Sequence, residues 1–305
     1  MTASILQIES ELTAKASPLQ QLHSSILEEA GIQLYVKRDD LLHTEYGGNK
    51  WRKLKYNLIE ARRRNQNTLL TFGGAWSNHI YATAAAGRDF NFNTIGIIRG
   101  EKQSSLNPTL AFAESCGMQL HYVNRNEYRQ RNNPDYVEKI RQKFGDIYLL
   151  PEGGSNALAV EGCTEIVKEI DRDFDIICCA CGTGATLAGI INALSREQSA
   201  IGFSALKGED LLSAEVKKFL IDNKRNNSWR IENRFHFGGY AKVSDQLIRF
   251  LRDFEQQFAI PLDAVYTAKM FYGLLDLIKK GHFAHNSKII AVHSGGLQGN
   301  KGFNL

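Results

Sequence analysis

The chain has 305 residues, 43% of them hydrophobic and 23% charged, enough for two ordinary domains or one large one with a sizeable core. Its 37 basic and 33 acidic residues leave a net charge of +4 spread along the length, so charge makes no case for nucleic acid or an anionic membrane as a partner. The opening MTASILQIES has neither a basic start nor an unbroken apolar core, no later stretch is long enough to span a bilayer, and five cysteines show neither a paired framework nor zinc-ligand spacing; these features predict a cytoplasmic protein with buried thiols at Cys178, Cys179 and Cys181 and no metal site.

In chain order, apolar runs predict strands at residues 33–36, 68–72, 94–98, 119–123, 146–150, 176–180, 201–204 and 288–292. Helical patterns separate most of them. The segment 49–64 keeps Trp51, Leu54, Leu58 and Ile59 at helical spacing, and its end, Arg62-Arg63-Arg64, reads as solvated. The alanine-rich segment 77–88 opens on Ser77-Asn78, a capping pair. Alternating βα units predict an α/β protein of parallel, doubly wound sheets with helices on both faces. No repeat, low-complexity tract or proline-rich linker marks a boundary; a smaller α/β domain is expected as an insertion over 46–150, within a larger domain made of 1–45 and 151–305.

Three glycine-bearing turns stand where strands give way to helices, the places where such sheets collect ligands. Cys181-Gly182-Thr183-Gly184-Ala185-Thr186 follows the run 175–180 and opens a helix near Leu187. Its small residues would let backbone amides converge on a phosphate, with Thr183 and Thr186 adding hydroxyls; tight strand-to-helix packing explains the same glycines. It is not a P-loop, since Ala185 stands where lysine is required, and it lacks the dinucleotide fingerprint, since Leu187 occupies the third glycine's place. The second turn, Gly73-Gly74-Ala75-Trp76-Ser77-Asn78-His79, is either a seat for a carboxylate or a plain serine cap. The third is Tyr46-Gly47-Gly48-Asn49-Lys50. Lys50 reads as an exposed helix-start lysine, or as an amine kept neutral by burial and by the cations Arg52 and Lys53.

Taken together, these motifs resemble the fold type II, tryptophan synthase β-like family of pyridoxal-phosphate enzymes, in its branch of aminocyclopropane-carboxylate deaminase and D-cysteine desulfhydrase. The likeness covers most of the chain. Lys37-Arg38-Asp39-Asp40 followed by Gly47-Gly48-Asn49-Lys50-Trp51-Arg52-Lys53-Leu54 is similar to the family's lysine signature, which implies that Lys50 holds pyridoxal 5'-phosphate as a Schiff base and that Lys53 reaches its phosphate. The resemblance further implies that the cofactor lies between the domains, that Gly182, Thr183, Gly184, Ala185 and Thr186 form the phosphate cup, and that Asn78 bonds the ring oxygen. Ser77, with His79, Tyr240 and Ser294, would face the substrate. The segment 263–270 resembles the one carrying an active-site tyrosine, Tyr266, followed by the group facing the pyridine nitrogen, Thr267; His293-Ser294-Gly295-Gly296 resembles the closing turn. Tyr240, after Gly238-Gly239, has a packing explanation as well.

In this branch the deaminase carries glutamate after the tyrosine and leucine in the closing turn, where desulfhydrases carry hydroxyl residues; this chain has Thr267 and Ser294. A neutral partner weakens the electron sink and suits elimination of a good leaving group. The resemblance therefore implies a lyase that converts D-cysteine to pyruvate, ammonia and hydrogen sulfide, with Lys50 as base, acting on a small amino-acid substrate as a homodimer. Aminocyclopropane-carboxylate deamination, racemisation and a non-catalytic phosphate-ligand module are the alternatives. The chain departs from the family at Trp76, where glutamine is common, at Ser294, where threonine is usual, and in a shorter 204–233 stretch.

Overall fold

The computed structural model describes residues 16–208, 210–222 and 228–303. The opening segment MTASILQIES and part of the 204–233 stretch lie outside the described residues. The strands are β1 (Leu19–Leu22), β2 (Gln33–Lys37), β3 (Thr68–Gly74), β4 (Asn93–Arg99), β5 (Gln119–Val123), β6 (Tyr148–Leu150), β7 (Ile176–Cys181), β8 (Ser199–Ser204), β9 (Trp229–Glu232) and β10 (Lys288–Val292). The helices that bear on the site are α1 (Asn49–Arg63), α2 (Asn78–Asp89), α3 (Arg125–Arg129), α4 (Ala157–Lys168), α5 (Ala185–Ala193) and α6 (Thr267–Lys279).

The strands form two sheets, a six-stranded one in the order β1-β2-β10-β7-β8-β9 and a four-stranded one in the order β5-β4-β3-β6. Every pairing is parallel except β1 with β2. Helices cover both faces, so the inner strands are apolar on both sides: in β7, Cys178 packs into one core and its neighbours Ile177 and Cys179 into the other. Cys163, Cys178, Cys179 and Cys181 are buried free thiols. Among the described residues no helix is long and apolar enough to cross a membrane.

All eight expected strands are present, with the fifth starting later, at Tyr148. The two unexpected strands, β1 and β9, lie at the sheet edges and are four residues each, too short and polar (LQQL and WRIE) to stand out by pattern. Helix α5 begins at Ala185, two residues before the expected start, and Ser77 is the cap of α2 rather than its first turn. The expectation of a solvated 62–64 helix end fails at its first residue. The Arg62 guanidinium donates to the carbonyls of Phe90 and Asn91 at 2.8 and 2.9 Å and lies 3.6 Å from the centre of the Phe92 ring, because the next turn folds back over it.

Strand order places the site. In the small sheet the chain steps outward from β3 to β4 and β5, then returns to put β6 on the other side of β3; in the large sheet it runs β7, β8, β9, then returns to put β10 on the other side of β7. Each reversal opens a crevice beyond the carboxyl ends of the strands beside it. The turns after β3, β6, β7 and β10 therefore converge.

Candidate active site

A cavity of about 410 Å³ lies among these four turns. Lys50 and Lys53 enter it from α1, Ser77, Asn78 and His79 from the start of α2, and Gly182, Thr183, Gly184 and Thr186 from the start of α5; Tyr240, Tyr266 and Ser294 also line it. Twelve of the fourteen residues expected at the site from sequence thus share one cavity. The exceptions are Ala185 and Thr267.

Lys50 owes its position to glycine. Gly48, with φ of +70°, precedes α1, and a Cβ there would lie 2.0 Å from the Ser294 carbonyl oxygen, which accepts the Asn49 N–H at 3.2 Å. The start of α1 thus lies directly on the turn after β10. The Lys50 Nζ donates to Asn49 Oδ1 at 2.9 Å, and Asn49 Nδ2 in turn donates to Thr186 Oγ1 at 3.0 Å, tying the lysine to the turn after β7. Burial first, and the neighbouring Lys53 charge second, bring the Lys50 ammonium down from 10.5 to about 7. A fraction near half is then a neutral amine at neutral pH.

Lys53 sits one turn further along α1. Its Nζ donates to the Gly153 carbonyl at 3.2 Å and to Thr183 Oγ1 at 3.4 Å, and burial lowers its pKa as well. Gly184, with φ of +85°, bends the chain into α5, whose first amides have no partners within the helix. Amides, two threonine hydroxyls and an ammonium therefore face one end of the cavity, and no carboxylate stands among them.

At the other end the Ser77 hydroxyl accepts the N–H groups of His79 and Ile80 at 3.2 and 3.3 Å. It is a helix cap, as the plainer sequence reading had it, and it also lines the cavity. The Ser77 O–H and Asn78 N–H are left as donors for a carboxylate. His79 is buried with neither ring nitrogen bonded within the protein; burial, then the charges of Lys50 and Lys53, hold its pKa well below 6.5, so it is a neutral imidazole. Tyr266 and Tyr240 meet edge to face at 6.2 Å, and burial raises the pKa of both, most strongly at Tyr266. A side chain at Gly182 would come within 3.3 Å of the Tyr266 hydroxyl. Both phenols are hydrogen-bond donors at physiological pH, not bases.

A family model for pyridoxal-phosphate-dependent enzymes matches residues 11–295. The chain belongs to that family. It is 31% identical to the mitochondrial bifunctional D-cysteine desulfhydrase/1-aminocyclopropane-1-carboxylate deaminase of Arabidopsis thaliana, over 88% of this chain and 73% of that one. It is 25% identical to the D-cysteine desulfhydrase of Serratia proteamaculans, over 94% and 93%. A crystal structure described as an ACC deaminase homologue superimposes with a TM-score of 0.84 at 26% identity, covering 100% of this chain and 98% of the other. The chain is thus a pyridoxal-phosphate-dependent enzyme, similar to proteins named as D-cysteine desulfhydrase and aminocyclopropane-carboxylate deaminase.

The residues present fit that cofactor. The carboxylate-free cup suits a phosphate dianion, the lowered pKa of Lys50 suits capture of an aldehyde, and the unbonded His79 nitrogens leave buried polar atoms for a ligand to satisfy.

Two of the expected residues are absent from the lining of the cavity. The Ala185 side chain packs into the core around β7, so the residue reaches the cup only through its backbone amide. Thr267 does not face the cavity. Its Oγ1 accepts the Asp263 N–H at 2.8 Å and donates to Asp263 Oδ2 at 2.9 Å, closing the start of α6 on itself. The hydroxyl-bearing residue that does line the cavity on that side is Ser294. Asp263, missed from sequence, also accepts the N–H groups of Val265, Tyr266 and Thr267 at 2.8–3.0 Å and so fixes the backbone that carries Tyr266. Arg99 and Glu152 are the charged wall residues missed from sequence; Arg99 ends β4 and Glu152 lies just beyond β6, and a place at or past a strand's carboxyl end is the signal that would have found them.

Proposed function

We propose that the protein is a lyase that removes the α-proton and the β-substituent of a small amino acid, taking D-cysteine to pyruvate, ammonia and hydrogen sulfide. The observation that carries this reading is Lys50: an amine with a pKa of about 7, on the wall of a cavity that offers a carboxylate seat at one end and a phosphate cup at the other. When bound, pyridoxal phosphate supplies an electron sink conjugated to the substrate nitrogen. Lys50 would hold it, with Lys53, Thr183, Thr186 and the amides from Gly182 to Thr186 around its phosphate. Ser77 and the Asn78 amide hold the substrate carboxylate, which fixes the Cα–H bond toward Lys50. The neutral Lys50 amine takes that proton. The protonated Tyr266 and Tyr240 steady the departing group by donating hydrogen bonds. Elimination is favoured because Ser294 faces the cavity where the deaminase pattern has leucine, and because Glu152, the carboxylate among the lining residues, is already engaged by Tyr128 and Arg131. The absence of a wall carboxylate free to protonate the ring suits a thiol leaving group.

Ring opening of aminocyclopropane carboxylate is the second reading, supported by the bifunctional relative. We further take the chain to act as a cytoplasmic homodimer, in keeping with its resemblance to the family. Sulfide and pyruvate release from D-cysteine, followed with the visible absorbance of the holoenzyme, tests the main reading. Turnover of D-cysteine with a spectral change supports it, and turnover of aminocyclopropane carboxylate alone replaces it with the second. Lys50→Ala removes the visible band and lowers turnover by roughly 10²- to 10⁴-fold.

A further inference from the structure

Arg99 closes β4, and its guanidinium leans over the turn that leads to Ser77: a Cβ at Gly74 would stand 3.4 Å from Nη2. It borders two cavities at once, the active-site cavity and a neighbouring one of about 380 Å³ whose other walls are Arg125, Tyr128, Arg129 and Arg131. The Tyr128 ring supports two of these cations, with Arg99 at 5.6 Å and Arg131 at 5.1 Å from its centre. Glu152, the acid of the shared wall, accepts the Tyr128 hydroxyl at 2.7 Å and pairs with Arg131 at 2.7 Å. Among the described residues no carboxylate pairs with Arg99, and its side chain is exposed.

The α-carboxylate of a substrate already has the start of α2, and the phosphate of the cofactor has Lys53 and α5. A third cation on the wall, planar, unpaired and fed by a vestibule of further guanidinium groups, matches a second anionic group on the substrate itself. We infer that the site selects amino acids whose β-substituent is an anion of the phosphate or sulfonate class, and that Arg99 reads that second charge; this rests on the elimination reading above. In the reaction the Cα–H bond breaks and its proton goes to Lys50. The electron pair forms a Cα–Cβ double bond, and the Cβ–O or Cβ–S bond breaks with its pair on the departing phosphate or sulfite. Hydrolysis of the enamine consumes one water and yields pyruvate and ammonia.

The test compares wild type, Arg99→Gln and Arg99→Lys as holoenzymes. D- and L-O-phosphoserine and D-cysteine are the substrates, with pyruvate release followed. Calorimetric titration uses D- and L-2-amino-3-phosphonopropanoate, whose carbon–phosphorus bond does not leave, against alanine of the same hand. The phosphono compound of one hand binds wild type at least tenfold more tightly than alanine. Arg99→Gln removes that margin and raises the KM ratio of phosphoserine to D-cysteine at least tenfold, and Arg99→Lys restores part of both. Equal weakening of alanine and the phosphono compound overturns the inference, because Arg99 then serves the shared α-carboxylate; so does an unchanged margin. Failure to release pyruvate from D-cysteine and from either phosphoserine would sink the elimination reading by itself, while the titration still decides the role of Arg99.

Discussion

Two groups of arginines flank α1 and the cavity, and they differ in what surrounds them. Behind the helix, Arg52 is 2% exposed and bonds Asp39 at 3.1 Å through both Nε and Nη2, Glu169 at 2.7 Å and Glu165 at 3.2 Å, with Lys37 and Lys55 on the same carboxylates. In front, Arg99 is exposed and faces a cavity. Charges taken out of water must be compensated within the protein, so the rear cluster locks α1 against β2 and α4. A cation left uncompensated beside a cavity keeps its capacity for a ligand. Pairing, rather than arginine content, separates scaffold from site.

The largest effect that would break this contrast is at the rear. Arg52→Met strips its main partner from buried Asp39 and half-buried Glu169, leaving Lys37 as the cation between them, and costs about 3 kcal/mol in urea denaturation. A loss indistinguishable from that of a surface arginine would show that the cluster carries no structural load. Next comes acid. Burial opposes ionisation of Glu169, but hydrogen bonds and charge from Arg52 and Lys37 outweigh it and hold its carboxyl at about 2, below the ordinary 4.5. A depressed carboxyl contributes stability that is full above pH 4.5 and lost as pH falls toward 2, up to about 3 kcal/mol by linkage. Glu169→Gln should flatten that part of the stability profile. A front-side effect follows: the rate of pyridoxal-phosphate uptake by the cofactor-free protein, read from visible absorbance, rises as pH passes upward through about 7, because only the neutral Lys50 amine reacts with the aldehyde. A midpoint near 10 would refute the burial argument for Lys50. The smallest effect is at Arg64, exposed at the cap of the same helix, where it pairs with Glu60 at 2.7 Å and lies 5.7 Å from the centre of the Tyr148 ring; Arg64→Ala should leave the urea midpoint in place.

The inner strands were legible because burial on both faces makes them continuous apolar runs, as at 176–180 and 288–292. β1 and β9 were not, since an edge strand needs little apolar surface. Lys50, Ser77 and the Gly182–Thr186 turn were legible as glycine or capping signals at strand ends, made specific by the family resemblance. Arg62 was misplaced because the backbone that engages it arrives from beyond its own pattern, whereas the Thr267 hydroxyl is taken up by Asp263 within its own segment. Arg99 gave only the signal of its place at the end of a strand. One arginine at a strand end acquires meaning only from the unpaired state that folding leaves it in.

The contact of Gly48 with the Ser294 carbonyl has a bearing on how the protein matures. The lysine helix rests on a turn far along the chain from it, and β10 fills the gap between β2 and β7. A nascent chain that ends before β10 has its lysine, its serine and its glycine turn in sequence but no floor beneath them. Capture of the vitamin-derived cofactor therefore waits on β10 and the turn after it, however early the lysine itself has been made.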